Sequence, residues 1–182
     1  RHKGRTFYMT EKLDGTSCTV YFNDGAFGVC SHNLELVESP DNTYWKAARG
    51  LGLENKLKAK GNFAVQGELI GEGIQKNRYA VHGHALRAFQ VFDIAAGRYL
   101  DLGAFRDFCA EFNLPTVPWL GELKLEHGVE QLVELSKGPS VLNPNCKQRE
   151  GIVLRSVSEE RDMETGRASF KVVNPLYLLM EE

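Results

Sequence analysis

The chain has little of what would mark several common classes. Its 182 residues hold no apolar run of the roughly 20 residues that span a bilayer, and no secretory leader opens it. The four cysteines, Cys18, Cys30, Cys109 and Cys146, are scattered without a Cys-x-x-Cys pair. That argues against structural zinc and a disulfide framework, and makes reduced thiols in the cytosol the expectation. The phosphate-binding loop Gly-x-x-x-x-Gly-Lys-Ser/Thr is absent, which argues against a P-loop ATPase. Positive charge is not in excess: 22 Lys and Arg against 24 Asp and Glu give a net charge of −2, whereas dedicated nucleic-acid binders usually carry a basic surplus. Repeats, low-complexity tracts and linkers are also missing, so the sequence reads as one domain.

What is present suits a globular chain with a real core, 42% hydrophobic and 25% charged. Strand patterns cover Phe7 to Thr10 and Ser17 to Phe22, and Asn23-Asp24-Gly25 then turns the chain into a paired run from Ala26 to Ser31. Asp41 or Asn42 caps a predicted helix through about Lys60. Phe63 to Ile70 and Arg87 to Ile94 read as strands. Asp101 caps a helix with Phe105, Phe108, Cys109 and Phe112 on one face. A helix from about His127 to Ser136 carries Val129, Leu132, Val133 and Leu135, and strands are expected over Ile152 to Val157 and Ala168 to Val173. Hairpins with helices between them predict an α+β fold with antiparallel sheets.

Candidate chemistry starts at Glu11-Lys12-Leu13-Asp14-Gly15. A lysine can act as a nucleophile only after losing its proton, and at an ordinary pKa near 10.4 fewer than about one in a thousand is neutral at pH 7. Nearby cations and a metal ion favour the neutral form. Asp14 follows Lys12 by two positions, so an extended backbone puts both on one side. Four further stretches follow in order: Gln66-Gly67-Glu68-Leu69-Ile70-Gly71, Phe89-Gln90-Val91-Phe92-Asp93-Ile94, Arg149-Glu150-Gly151-Ile152-Val153-Leu154-Arg155 and Ser169-Phe170-Lys171.

This ordered set resembles the motifs of the covalent nucleotidyltransferases, the family of DNA ligases, RNA ligases and mRNA capping enzymes. The resemblance spans residues 7–178, and Gly73-Ile74-Gln75-Lys76-Asn77-Arg78-Tyr79 looks like the RNA-ligase branch. It implies a nucleotidyltransferase fold with antiparallel sheets flanked by helices and the nucleotide pocket between them. It also implies Lys12 as nucleophile, with Asp14 and Lys171 as further catalytic residues. Asp14 and Glu150 hold Mg²⁺ or Mn²⁺, Glu150 through water. Glu68 accepts from a ribose hydroxyl, and Phe92 stacks on the purine. Strand parity sets Gln90 and Ile94 on the face of Phe92, and Phe89 and Val91 on the other, where Phe89 packs in the core. Glu11, Gly15 and Asn33 complete the expected nucleotide contacts. His32, Lys76, Arg78, Arg149 and Arg155 are candidates for RNA or phosphate.

Two positions depart from the family pattern. Ser31-His32-Asn33 stands where Ser-Arg-Asn is frequent, which exchanges a permanent charge for a titrating one. Ser169 stands where the final motif often has a first lysine, so Lys171 is left as the cation there. The expectation is an intracellular, monomeric, ATP-dependent RNA ligase. Residues 1–182 would be its adenylyltransferase domain, the C-terminal part of a longer protein whose N-terminal OB domain helps bind RNA or an RNA-containing nicked duplex. A DNA ligase, a GTP-dependent capping enzyme and a nucleotide-binding module without catalysis are the alternatives.

Overall fold

A computed structural model describes residues 2–159, the backbone of 161–162, and residues 166–180. The elements in chain order are β1 (Thr6–Lys12), β2 (Thr16–Asn23), β3 (Ala26–Cys30), α1 (Thr43–Gly50), α2 (Leu53–Lys60), β4 (Phe63–Gly71), β5 (His84–Asp93), β6 (Arg98–Tyr99), α3 (Leu102–Glu111), β7 (Trp119–Lys124), α4 (Val129–Ser136), β8 (Gly151–Ser156), β9 (Arg161–Asp162), β10 (Gly166–Arg167), β11 (Ser169–Val173) and α5 (Pro175–Leu178). Where the sequence reads as one continuous domain, the contacts form two compact units, one of residues 1–14 with 117–182 and the other of residues 15–116. The α+β class with antiparallel sheets is as expected. Among the described residues no helix is long and apolar enough to cross a membrane.

The unit of residues 15–116 is a five-stranded antiparallel sheet in the order β3-β2-β4-β5-β6. Asp24 and Gly25, with φ of 48° and 87°, make the expected tight turn between β2 and β3. Cys18, Val20, Val29, Val65, Leu69, Leu86, Ala88 and Val91 form one buried sheet face, covered by Trp45, Ala48, Leu53, Leu57, Phe105 and Phe108 from the helices. Asn42 is the cap of α1, accepting from the Tyr44 and Trp45 N–H groups at 3.0 and 3.2 Å. The single helix expected up to Lys60 is two helices. Gly52 takes a left-handed φ of 62°, which breaks the hydrogen-bond ladder and lets Leu53 and Leu57 turn into the core. β4 and β5 also slip register between Gln66 and Gly67, whose partners are Gln90 and Ala88. Phe89 is the residue skipped at this bulge. It is half-buried rather than part of the core, and Leu86, Ala88 and Val91 fill the inner face.

The other unit has a four-stranded antiparallel sheet in the order β11-β8-β1-β7. Phe7, Ile152, Leu154 and Ala168 are its buried core, and Leu132 and Leu135 of α4 pack on them with Phe170 and Val172. Val129, expected on the apolar face of that helix, is 79% exposed. β7 had no place among the expected strands, because Pro115, Pro118 and Gly121 make its surroundings read as loop. It pairs with the outer edge of β1. β1 lies between β7 and β8, so the first strand of the chain sits inside the sheet.

Candidate active site

Register decides which side chains share a face. Lys12 pairs with Gly151, Thr10 with Val153, and Val153 in turn with Lys171. Paired residues of an antiparallel sheet point to the same side, and alternate residues of a strand do too. Thr10, Lys12 and Lys171 therefore stand on one face, and Phe7, Met9 and Glu11 on the core face. Lys12 ends β1, and Glu150 directly precedes β8. The Lys12 Nζ donates to Glu150 Oε1, with the two side chains 22% and 16% exposed. Burial pushes the Glu150 carboxyl above its ordinary pKa. Lys12 and Lys171 pull it down, and the neighbouring Asp14 carboxylate pushes it up. Lys12, Asp14, Glu150 and Lys171 thus form one electrostatic cluster within one unit. Asp14 lies just beyond β1 and accepts a hydrogen bond from the Tyr177 phenol.

Oε2 of Glu150 is buried with no hydrogen-bond partner. A buried acceptor of this kind, beside a second carboxylate, suits a hard oxygen-seeking cation that keeps part of its water shell. No group of three His, Cys, Asp or Glu ligands comes together among the described residues. Asp14 and Glu150 would therefore share a Mg²⁺ or Mn²⁺ ion with water and substrate oxygens.

Three of the expected contact residues have buried or half-buried side chains with partners inside the protein. Glu11 is 1% exposed and turned to the core face, where Oε2 accepts the Val141 N–H at 2.8 Å. Its side chain holds the loop after α4. Burial raises its pKa, against the lowering effects of the Ser140 hydroxyl, the Val141 N–H and Arg149. Arg149 spends its guanidinium on the end of α4: Nε donates to the Ser136 carbonyl at 3.1 Å, and Nη2 to those of Leu135 and Lys137 at 2.9 and 2.7 Å. It caps the end of that helix. Burial lowers its pKa, with the Glu11 charge acting against the shift. Arg155 is 6% exposed, and its Nη1 donates to Thr10 Oγ1 at 3.4 Å. It pairs across the sheet with Ser169, on the face of Lys171. The position where the family often has a lysine therefore faces a guanidinium.

The remaining candidates lie in the other unit. Ser17 pairs with Glu68, and Ala64 with Phe92, which puts Glu68 and Phe92 on the sheet face opposite the core. Phe92 meets the Tyr99 ring edge-on at 4.9 Å, and Gln90, on the face of Phe92 as expected, donates to Gln66 Oε1. Gly15 is sterically required: a Cβ there would fall 2.4 Å from the Leu69 carbonyl oxygen. Its own carbonyl accepts from Gln75 Nε2 at 3.2 Å. His32 and Asn33 are exposed in a turn closed by the Ser31 N–H to Leu34 carbonyl bond of 2.8 Å. Lys76 is exposed, while Arg78 is half-buried with Nε enclosed. Both sit in the loop between β4 and β5, where Gln75, Asn77 and Ala80 hold left-handed φ of 46°, 41° and 52°.

Sequence reasoning did not find Tyr177 or Asn174. Asn174-Pro175 is a helix-start signature, a capping side chain followed by proline at the first helical position, and it could have revealed α5. No local signal marked the tyrosine.

The antiparallel sheets, and a strand-end lysine paired to a carboxylate that opens another strand, define a nucleotidyltransferase fold. Comparison with protein families matches residues 5–173 to the family described as RNA ligase, and the chain belongs to that family. Comparison with curated proteins gives no match. Among solved structures, the RNA ligase of Naegleria gruberi with pyrophosphate is similar, at a TM-score of 0.90 and 37% identity over 98% of this chain and 52% of that one. A variant of the same ligase with ATP and manganese gives a TM-score of 0.89 and 34% identity over the same shares, 98% and 52%. The chain thus spans about half the length, 52%, of the solved ligases it matches.

Proposed function

We propose that residues 1–182 are the adenylyltransferase domain of an ATP-dependent RNA ligase. Lys12 attacks the α-phosphorus of ATP, its nitrogen forming a phosphoramidate with AMP as pyrophosphate leaves. AMP then passes to a 5′-phosphate on RNA, and a 3′-hydroxyl displaces it to seal the strand. The observation that carries this reading is the cluster of Lys12, Asp14, Glu150 and Lys171, set in a chain of the RNA ligase family.

Each group has a task in that reading. Glu150 accepts from the lysine nitrogen and fixes its position. Lys171 offsets charge that develops on the α-phosphate. Asp14 and Glu150 hold the divalent cation, which neutralises phosphate charge when bound. Glu68 accepts from the ribose, and Phe92 offers a ring to the purine. ATP and manganese appear with the Naegleria ligase, which supports the same nucleotide and a divalent ion here. An OB domain in the rest of the protein supplies duplex binding, since the net charge of −2 gives these residues few phosphate contacts.

The test is incubation with labelled ATP, GTP or NAD and Mg²⁺, followed by a search for acid-labile, alkali-stable label on the protein. Label from ATP, lost in a folded Lys12→Ala variant, is the expected result. Label from GTP alone would indicate capping chemistry, and from NAD alone a DNA ligase. No label from any of them would indicate a passive module.

A further inference from the structure

The structure assigns Tyr177 as a positioning residue that fixes the Asp14 carboxylate beside Lys12. The assignment rests on the reading of Lys12 as the nucleophile. Asp14 lies past the last paired residue of β1, so the sheet does not orient its side chain. It sits two residues from Lys12 on a short polar turn, where pairing with the neighbouring ammonium would be the simplest arrangement. Instead, Glu150 takes the Lys12 Nζ, and the Tyr177 phenol donates to Asp14 Oδ2. The two carboxylates of the cluster are held on different partners.

The tyrosine is itself firmly placed. It is 4% exposed and is the buried residue of α5, whose Leu176 and Leu178 are 41% and 55% exposed. Asn174, fully buried, starts that helix: its Oδ1 accepts the Leu176 N–H at 3.0 Å. Its amide Nδ2 donates to Gln148 Oε1 at 2.9 Å and to the Arg149 carbonyl at 3.0 Å. Its backbone N–H donates to the Glu150 carbonyl at 2.9 Å. One buried asparagine therefore ties α5 to the backbone that carries Glu150, and α5 ties the side chain of Asp14. The spacing of the two acidic groups is set through Asn174 and Tyr177. A phenylalanine would fill the same volume, so the hydroxyl is what serves Asp14.

The decisive variant is Tyr177→Phe, which keeps the packing and removes the hydroxyl. Losing a hydrogen bond to a charged group predicts a fall of about 10- to 100-fold in kcat for lysyl-AMP formation. The KM for ATP rises by less than kcat falls, because Asp14 shares the cation with the bound nucleotide but its orientation matters most in the transition state. The melting temperature falls by only a few degrees, since one hydrogen bond is lost and the packing is kept, and crystals of the variant without nucleotide show the Asp14 carboxylate turned from its wild-type direction. A kcat within threefold of wild type, a loss carried by KM alone, or an unchanged Asp14 orientation overturns the assignment. If the wild-type chain takes no label from ATP, the adenylyltransferase reading falls, and the Asp14 orientation in the two crystals alone decides the role of Tyr177.

Discussion

Arg149→Ala separates a structural arginine from an RNA-binding one. The guanidinium gives three hydrogen bonds to the carbonyls of Leu135, Ser136 and Lys137, at 2.7–3.1 Å. These are orphan acceptors at the end of α4, with no partner inside the helix. A bond from a charged donor is worth about 1.5–3 kcal/mol, and water will reach some of a half-buried site, so the summed loss is about 3–4 kcal/mol. For a chain of this size each kcal/mol moves the melting temperature by about 2–4 °C, which predicts a fall of roughly 10 °C. Arg149→Lys keeps the charge but loses the planar fork, and recovers about a third of the stability. Urea unfolding of the three proteins measures this directly. A loss below about 1 kcal/mol for Arg149→Ala, with weakened RNA affinity and an undisturbed fold, would refute the capping role and restore the RNA contact.

Further outcomes follow from the cluster and its supports. Glu150→Ala and Lys171→Ala each slow lysine adenylylation by about 10²–10³-fold, by analogy with the loss of other charge-stabilising groups; single-turnover rates within threefold of wild type would place the pocket elsewhere. Glu11 has a raised pKa in the folded state, so its contribution to stability is full below the unfolded value near 4.3 and is lost as pH rises through the folded value. Glu11→Gln does not titrate, so its stability relative to wild type should improve between pH 4 and pH 7, and a pH-independent difference in unfolding free energy would contradict the burial argument. At Gly151 a Cβ would fall 2.1 Å from the Val172 carbonyl oxygen, so Gly151→Ala should force β11 away from β8, with a loss above about 2 kcal/mol and weaker labelling by ATP; denaturation and labelling together check it.

The sequence revealed unequal parts of this site. Lys12 and Asp14 were legible because both belong to one short motif and strand parity places them together. The meeting of Lys12 with Glu150 was not a matter of spacing; it depends on β8 pairing with β1, and only the family resemblance anticipated it. The internal partners of Arg149 and Arg155 had no signal in the sequence for one reason. A basic cluster looks the same in sequence whether it faces solvent or serves a helix end and a strand neighbour. Glu11 was carried along with its motif, although its odd position in the strand turns it to the core face. The fold class and most strands followed from hydrophobic pattern and turn residues. The break at Gly52 had a local signal in Gly50-Leu51-Gly52, whereas the bulge at Phe89 depends on the register of two strands and had none.

The placement of β1 inside its sheet has a consequence for biosynthesis. Lys12 is among the first residues of this segment to leave the ribosome, but the carboxylate and the second lysine of its cluster, at positions 150 and 171, come near its end. Residues 15–116 hold all the strands of their own sheet and can collapse early. β1 cannot; until β7 and β8 arrive both of its edges stay unpaired, and its closure must span more than a hundred residues. On the proposed reading, a nascent or truncated chain lacking β8 and β11 would hold neither Glu150 nor Lys171 beside Lys12 and would take no label from ATP.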